Sequence, residues 1–140
     1  AFGLGDYCRI SCDVGLDWKN TWYMRLTNRE YVSTRNAILN SVFRRQLNGR
    51  AFLNDPDVFF LREDNLKLTE EEKYVLATVN SLFGGLLLCS DDMSQYRPEA
   101  KALYAQLLKN RDAAGIQVEA DGGLSVSYTV EGVRQRLKIN

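Results

Sequence analysis

The chain contains no histidine. That absence excludes a Ser-His-Asp or Cys-His nucleophilic site within the chain, and any His-ligated metal. Acid–base chemistry therefore falls to Asp, Glu, Lys, Tyr or Cys. Cysteine is scarce and odd in number, with Cys8, Cys12 and Cys89 and no Cys-x-x-Cys pair. Such usage points to reduced thiols packed as small apolar side chains, and to a cytoplasmic protein. Net charge is lacking too, because 18 Lys and Arg balance 18 Asp and Glu. Without a basic stripe, nucleic acid is not the expected partner. The longest apolar run, residues 82–89, is broken by Gly84 and Gly85. It falls far short of the roughly 20 residues that a membrane span needs, so no membrane partner is expected. No signal-peptide pattern opens the chain. It begins Ala1-Phe-Gly-Leu-Gly, which reads as a start cut from something longer or processed.

What is present suits one globular domain. The 140 residues are 45% apolar and 26% charged, enough for a genuine core. Tyr7 to Ser11 reads as a strand ending at Cys12-Asp13-Val14-Gly15, and the aromatic stretch Trp18 to Tyr23 as a short helix. Ser33 to Leu47 has helical periodicity, with Ile38, Leu39, Val42, Phe43 and Leu47 on one face, a Ser33 or Thr34 cap and Gly49 as the stop. Arg44 and Arg45 read as its solvated side. A second strand is expected over Arg50 to Asn54, stopped by Pro56, which cannot donate to a ladder. Val58 to Leu61 is apolar but ambiguous. Thr69-Glu-Glu-Glu72 has the form of a capping box. It opens a helix that buries Val75, Leu76, Val79, Leu82 and Phe83 and ends at Gly84-Gly85. Leu86 to Cys89 gives a third strand, and Pro98 suits the first turn of a third helix striped by Ala100, Leu103, Tyr104, Leu107 and Leu108. After Asn110 the period falls to 2, with turn signals at Asp121-Gly-Gly and Glu131-Gly, which predicts a three-stranded antiparallel meander.

Strands alternating with helices imply parallel βαβ units. Each of the three strands runs into carboxylates: Asp13, then Asp55 and Asp57, then Asp91 and Asp92. If parallel strands aim these groups at one end, they converge on a pocket. Aspartate at a strand end is also an ordinary turn former or helix cap, and the pattern alone leaves both readings open.

Longer motifs carry a resemblance. Arg9-Ile-Ser-Cys-Asp13-Val-Gly-Leu-Asp-Trp18 resembles a segment of the α-galactosidases of glycoside hydrolase family 36, where an Arg-x-x-x-Asp ends the sixth barrel strand and carries the acid/base. Phe52-Leu-Asn-Asp-Pro-Asp57-Val-Phe-Phe-Leu-Arg62 is similar to that family's Asn-Asp-Pro-Asp segment on the seventh strand. Leu68-Thr-Glu-Glu-Glu and Asn80-Ser-Leu-Phe-Gly-Gly-Leu-Leu-Leu-Cys-Ser-Asp-Asp92 are similar to its seventh helix and eighth strand. The motifs run in the family's order from about Gly5 to Tyr104.

The resemblance implies an α/β fold: the last three β/α units of a (β/α)8 barrel over residues 1–110, then the start of an antiparallel β domain over 111–140. It implies retaining hydrolysis of terminal α-linked galactose, in which one carboxylate attacks the anomeric carbon and another, roughly 5–5.5 Å away, serves as acid and then base. Asp13 matches the acid/base and would need a raised pKa, supplied by partial burial and a nearby nucleophile. Arg9, kept off Asp13, would serve sugar hydroxyls and fix the loop; Asp57 would line the galactose pocket and Asp55 would be structural. The family's nucleophile stands in a Lys-x-Asp context on the fourth strand, and no such segment occurs in this chain. A complete barrel takes about 250 residues. The expectation is thus a fragment, inactive alone, with a galactose-containing oligosaccharide as substrate. It would need the missing N-terminal part of the barrel or self-association to complete it. Cofactor and metal are not implied. The alternatives are a non-catalytic carbohydrate-binding or structural module, α-N-acetylgalactosaminide hydrolysis, or galactosyl transfer. Trp18 and Trp22 are candidates for a sugar-stacking platform or for plain rim packing.

Overall fold

A strand that must stop at a proline organises the first half of the molecule. In the computed structural model, which describes residues 3, 5–19, 26, 32–120 and 122–139, strand β1 (Tyr7–Arg9) pairs in parallel with β2 (Leu53–Asp55) in the register Tyr7↔Leu53, Arg9↔Asp55. Pro56 then ends that ladder, and Asp57 takes a positive φ of 74°. The chain resumes as β3 (Val58–Phe59), which pairs in parallel with β4 (Leu88–Cys89) instead. The ambiguous Val58 segment is therefore a strand. The described residues form two parallel ribbons meeting at the Pro56-Asp57 break, with no closed barrel among them.

Helix α1 (Thr34–Phe43) joins β1 to β2, α2 (Glu70–Phe83) joins β3 to β4, and α3 (Pro98–Asn110) follows β4. The caps match the sequence signals. Ser33 Oγ accepts from the Asn36 N–H. Thr69 and Glu72 complete both halves of the capping box, and Pro98 sits in the first turn of α3.

Boundaries differ where side chains intervene. The first helix ends at Phe43, ahead of the expected Leu47, and passes into a 3-10 turn over Arg45–Leu47. Its buried stripe is Thr34, Ala37, Ile38, Ser41 and Val42. Leu39 and Phe43 lie one residue, about 100°, past that stripe, and Phe43 is 55% exposed. The second strand starts at Leu53 rather than Arg50, because the Arg50 and Ala51 N–H groups fold back onto Leu47 O. The last parallel strand starts at Leu88 rather than Leu86, because Gly85 N–H and Leu86 N–H both go to Asn54 O. Gly85 is required by close approach: a Cβ there would lie 2.6 Å from Leu53 Cβ and 2.7 Å from Asn48 Oδ1.

The tail folds as the expected meander, β5 (Ala114–Glu119), β6 (Leu124–Val130) and β7 (Val133–Ile139), in the order β5-β6-β7. Asp121 and Asn140 fall outside the described residues. One apolar cluster spans both halves, joining Ile38, Val42, Phe59, Leu76 and Leu107 to Val126, Tyr128 and Leu137. Tyr128 is buried to 1% exposure. Burial and its bond to Tyr74 push its hydroxyl well above the ordinary tyrosine range. Among the described residues no helix is long and apolar enough to cross a membrane.

Candidate functional site

Parallel pairing sets Arg9 opposite Asp55, so their side chains leave the same face of the ribbon. The guanidinium meets three carboxylates. Arg9 Nε lies 3.2 Å from Asp55 Oδ2, Nη1 lies 3.1 Å from Asp13 Oδ1, and Nη2 lies 3.0 Å from Asp57 Oδ1. Burial works to lower the Arg9 pKa, but the Asp55 hydrogen bond and the charges of Asp57, Asp55 and Asp13 outweigh it, so the cation is held above its ordinary value.

The carboxylates differ sharply in environment. Asp55 and Asp57 keep only 12% and 11% of their side chains exposed, whereas Asp13 keeps 82%. Asp55 Oδ1 accepts the Asp57 N–H at 2.9 Å, closing the turn around Pro56. Asp57 Oδ2 accepts the Val14 N–H at 2.7 Å and so pins the loop that carries Asp13. Ser11 Oγ donates to Pro56 O at 2.8 Å, a second tie between the same segments. Asp13 is left as the open carboxylate of the group. Two expectations fail on this geometry: Arg9 pairs directly with Asp13, and Asp13 has no partial burial among the described residues.

The third strand end does not join the cluster. The Asp91 side chain is fully buried and accepts from Leu61 N–H, Arg62 N–H and Tyr96 OH, while Arg62 Nη1 pairs with it at 2.9 Å. Tyr96 OH is 3.0 Å from Cys89 Sγ. Burial is the main force raising both the Cys89 thiol and the Tyr96 hydroxyl above their ordinary values. Asp92 caps the 3-10 turn Met93–Gln95 through Ser94 and Gln95, and those hydrogen bonds hold its carboxyl below the ordinary value. Both groups serve loop architecture.

Several contributors had been given no role from the sequence. Arg44 leaves the end of α1 and donates to Ile10 O at the end of β1, so it is more than a solvated face. Asn54 is fully buried and donates to Arg44 O and Phe83 O, tying two helix ends to β2. Asn80, also buried, donates to Asp57 O and Val58 O. Asn54 and Asn80 stand inside motif segments quoted from the sequence, which is the signal that could have found them. No comparable signal exists for Arg44.

Trp18 packs against the core and walls a cavity of about 870 Å³ with Thr69, Tyr74, Val75 and Leu137. Trp22 lies outside the described residues. A second cavity of about 760 Å³ lies between Arg62, Lys73 and Tyr96. Neither includes Arg9, Asp13 or Asp57, and the carboxylate group opens to the surface. Among the described residues no set of three or more Cys, Asp or Glu is arranged to hold a metal.

No family model matches the chain. Its structure is similar to that of an α-galactosidase from Thermus thermophilus solved in complex with p-nitrophenyl α-D-galactopyranoside, with a TM-score of 0.69 and 25% sequence identity. The likeness covers 95% of this chain and 26% of that one. The fold is thus α-galactosidase-like, and the chain spans about a quarter of the neighbour's length.

Proposed function

We propose that this chain supplies the acid/base side of a retaining α-galactosidase site, as the sixth to eighth β/α units of a family 36 barrel followed by the start of a C-terminal β domain. The observation that carries the reading is the Arg9 cluster. In a fold similar to an α-galactosidase, an Arg-x-x-x-Asp and an Asn-Asp-Pro-Asp segment meet at the ends of adjacent parallel strands, and one carboxylate, Asp13, faces outward. Asp13 protonates the departing glycosidic oxygen and then takes a proton from water. Asp57 and Arg9 shape the galactose pocket, with the Arg9 donors not used by carboxylates turned to sugar hydroxyls.

The open face supports the barrel reading. On the side that carries Arg9 and Asp55, Tyr7 and Leu53 are 63% and 42% exposed. Apolar side chains paired on the inner face of a barrel would be covered by the remaining strands. Those strands would also bring the nucleophile and the partial burial that Asp13 lacks. Completion by such strands is a better cover than a second copy. A symmetric pair would set two clusters, each of three carboxylates and one guanidinium, near one another.

A second reading, a carbohydrate-binding module without chemistry, draws on the Arg9–Asp13 pair, because the carboxylate assigned to proton transfer is already engaged by a guanidinium at 3.1 Å. Release of nitrophenol from p-nitrophenyl α-D-galactopyranoside separates the two. This chain alone should release none. Joined to a segment that supplies the nucleophile strand, it should turn substrate over, and Asp13→Asn should abolish that turnover. Galactoside binding without turnover in the joined protein would favour the module. Turnover by the chain alone, lost in Asp13→Asn, would overturn the division of labour, with Asp57 the first suspect as nucleophile.

A further inference from the structure

We infer that Asn80 is the positioning residue that sets the geometry of the Arg9–Asp13–Asp57 cluster from the opposite side of the ribbon. The inference rests on the proposed function only for the use to which the cluster is put; the positioning itself is a matter of this chain's own contacts.

Asn80 sits inside α2 with 1% of its surface exposed. An amide is a poor choice for a helix interior and for a core, since asparagine competes with helical hydrogen bonding and its burial costs free energy unless satisfied. Its Nδ2 group donates to Asp57 O at 3.0 Å and to Val58 O at 3.3 Å, while its Oδ1 has no protein partner. A half-satisfied amide gives little to stability alone. What it adds is a donor aimed at the two carbonyls where the chain passes from β2, paired with β1, into β3, paired with β4.

That junction holds Asp57 at φ 74°, in the left-handed region that strains a residue with a Cβ. The turn is kept from both sides. Asp55 Oδ1 takes the Asp57 N–H, and Asn80 holds the Asp57 carbonyl. With the backbone so fixed, the Asp57 carboxylate reaches Val14 N–H at 2.7 Å and Arg9 Nη2 at 3.0 Å. Val14 follows Asp13 in sequence, and Arg9 pairs with Asp13 directly. The path from Asn80 to Asp13 therefore runs through one turn and one carboxylate.

The test is amide exchange and proton NMR on the 140-residue chain, with no sugar present. Asn80→Leu keeps the number of heavy atoms and the branch at Cγ and removes the donor. It should speed Val14 amide exchange about tenfold, as the loss of one or two hydrogen bonds would, and move the Val14 and Arg9 Nε proton resonances. The amides of Val126 and Leu137 in the meander should keep their wild-type exchange. Thr78→Val, which removes a buried hydroxyl without a protein partner from the same helix, should leave the Val14 and Arg9 signals in place. If Asn80→Leu fails to fold, Asn80→Ala supplies the same test, because a methyl group fits within the space of the amide and cannot donate to the two carbonyls. Unchanged Val14 and Arg9 signals, or equal acceleration at Val14, Val126 and Leu137, would overturn the inference. Since no galactoside enters the measurement, a failure of the hydrolase reading leaves this result standing, and the reverse holds equally.

Discussion

Removing the Arg9 charge is the sharpest test of how the cluster is held. Arg9→Met keeps most of the side-chain stem and deletes the guanidinium. Each of its three contacts, at 3.0–3.2 Å, is worth about 5 kcal/mol of gross attraction at an effective dielectric near 20. Solvent discounts that sum heavily. The Arg9 side chain is 40% exposed, and its contact with the 82% exposed Asp13 behaves as a surface pair, contributing about 0–1 kcal/mol. Asp55 and Asp57 are different, being nearly covered and facing the same cation. Stranding them should cost about 2–3 kcal/mol, between the surface value and the 3–5 kcal/mol of a fully buried broken pair. Urea denaturation at neutral pH measures the loss. A loss under about 0.5 kcal/mol would refute the assignment of Arg9 as the charge that holds the cluster.

Four further outcomes follow from the same structure. Gly85→Ala should lower stability by about 2 kcal/mol or more, because the new methyl meets the Leu53 backbone at 2.9 Å and cannot be relieved by a rotamer change; a melting temperature within about a degree of wild type would contradict the close approach. Thr69→Ala should cost about 1 kcal/mol by removing the Oγ1 that accepts the Glu72 N–H, the side-chain half of the capping box, read from the denaturation midpoint. Two acid–base predictions share one sign rule. Hydrogen bonds hold Asp92 below its ordinary value of 3.8, so the Met93–Gln95 turn is stabilised above that value, and this support fades only as pH falls through the lower folded value; the Ser94 amide resonance reports it. Burial raises the Cys89 thiol, so at pH near 8.5 iodoacetamide should label it more slowly than free cysteine, and equal rates would count against that burial.

The elements whose signals are local were legible in the sequence. The capping box at Thr69, the proline at the head of α3, the glycine turns and the period-2 tail each act through neighbours within a few residues. They appear in the structure as the sequence implies. The short strands at Tyr7, Leu53 and Leu88 were legible in kind, but the latter two start three and two residues later than the sequence suggests. Their limits depend on partners far along the chain, such as Asn54 O taking the Gly85 and Leu86 amides. Val58 could not be assigned from a short apolar run, since its strand exists only through pairing with Leu88.

The aspartates divide in the same way. Sequence alone determined that carboxylates follow each parallel strand, that histidine chemistry is excluded, and that Arg9 and Asp13 stand four residues apart. Only the tertiary structure decided which carboxylates meet. Asp55 and Asp57 reach Arg9 because β2 lies beside β1 in a register that sets Asp55 opposite Arg9. Asp91 is drawn instead to the Leu61 and Arg62 amides, because β4 pairs with β3 beyond the Pro56-Asp57 break. Burial was decided there too: Asp57 is covered by the loop it pins, and Asp13 is left facing outward. Spacing along a chain sets which groups can be neighbours within an element. Charge pairing and desolvation depend on distances across elements, and those exist only once the strands have taken their register.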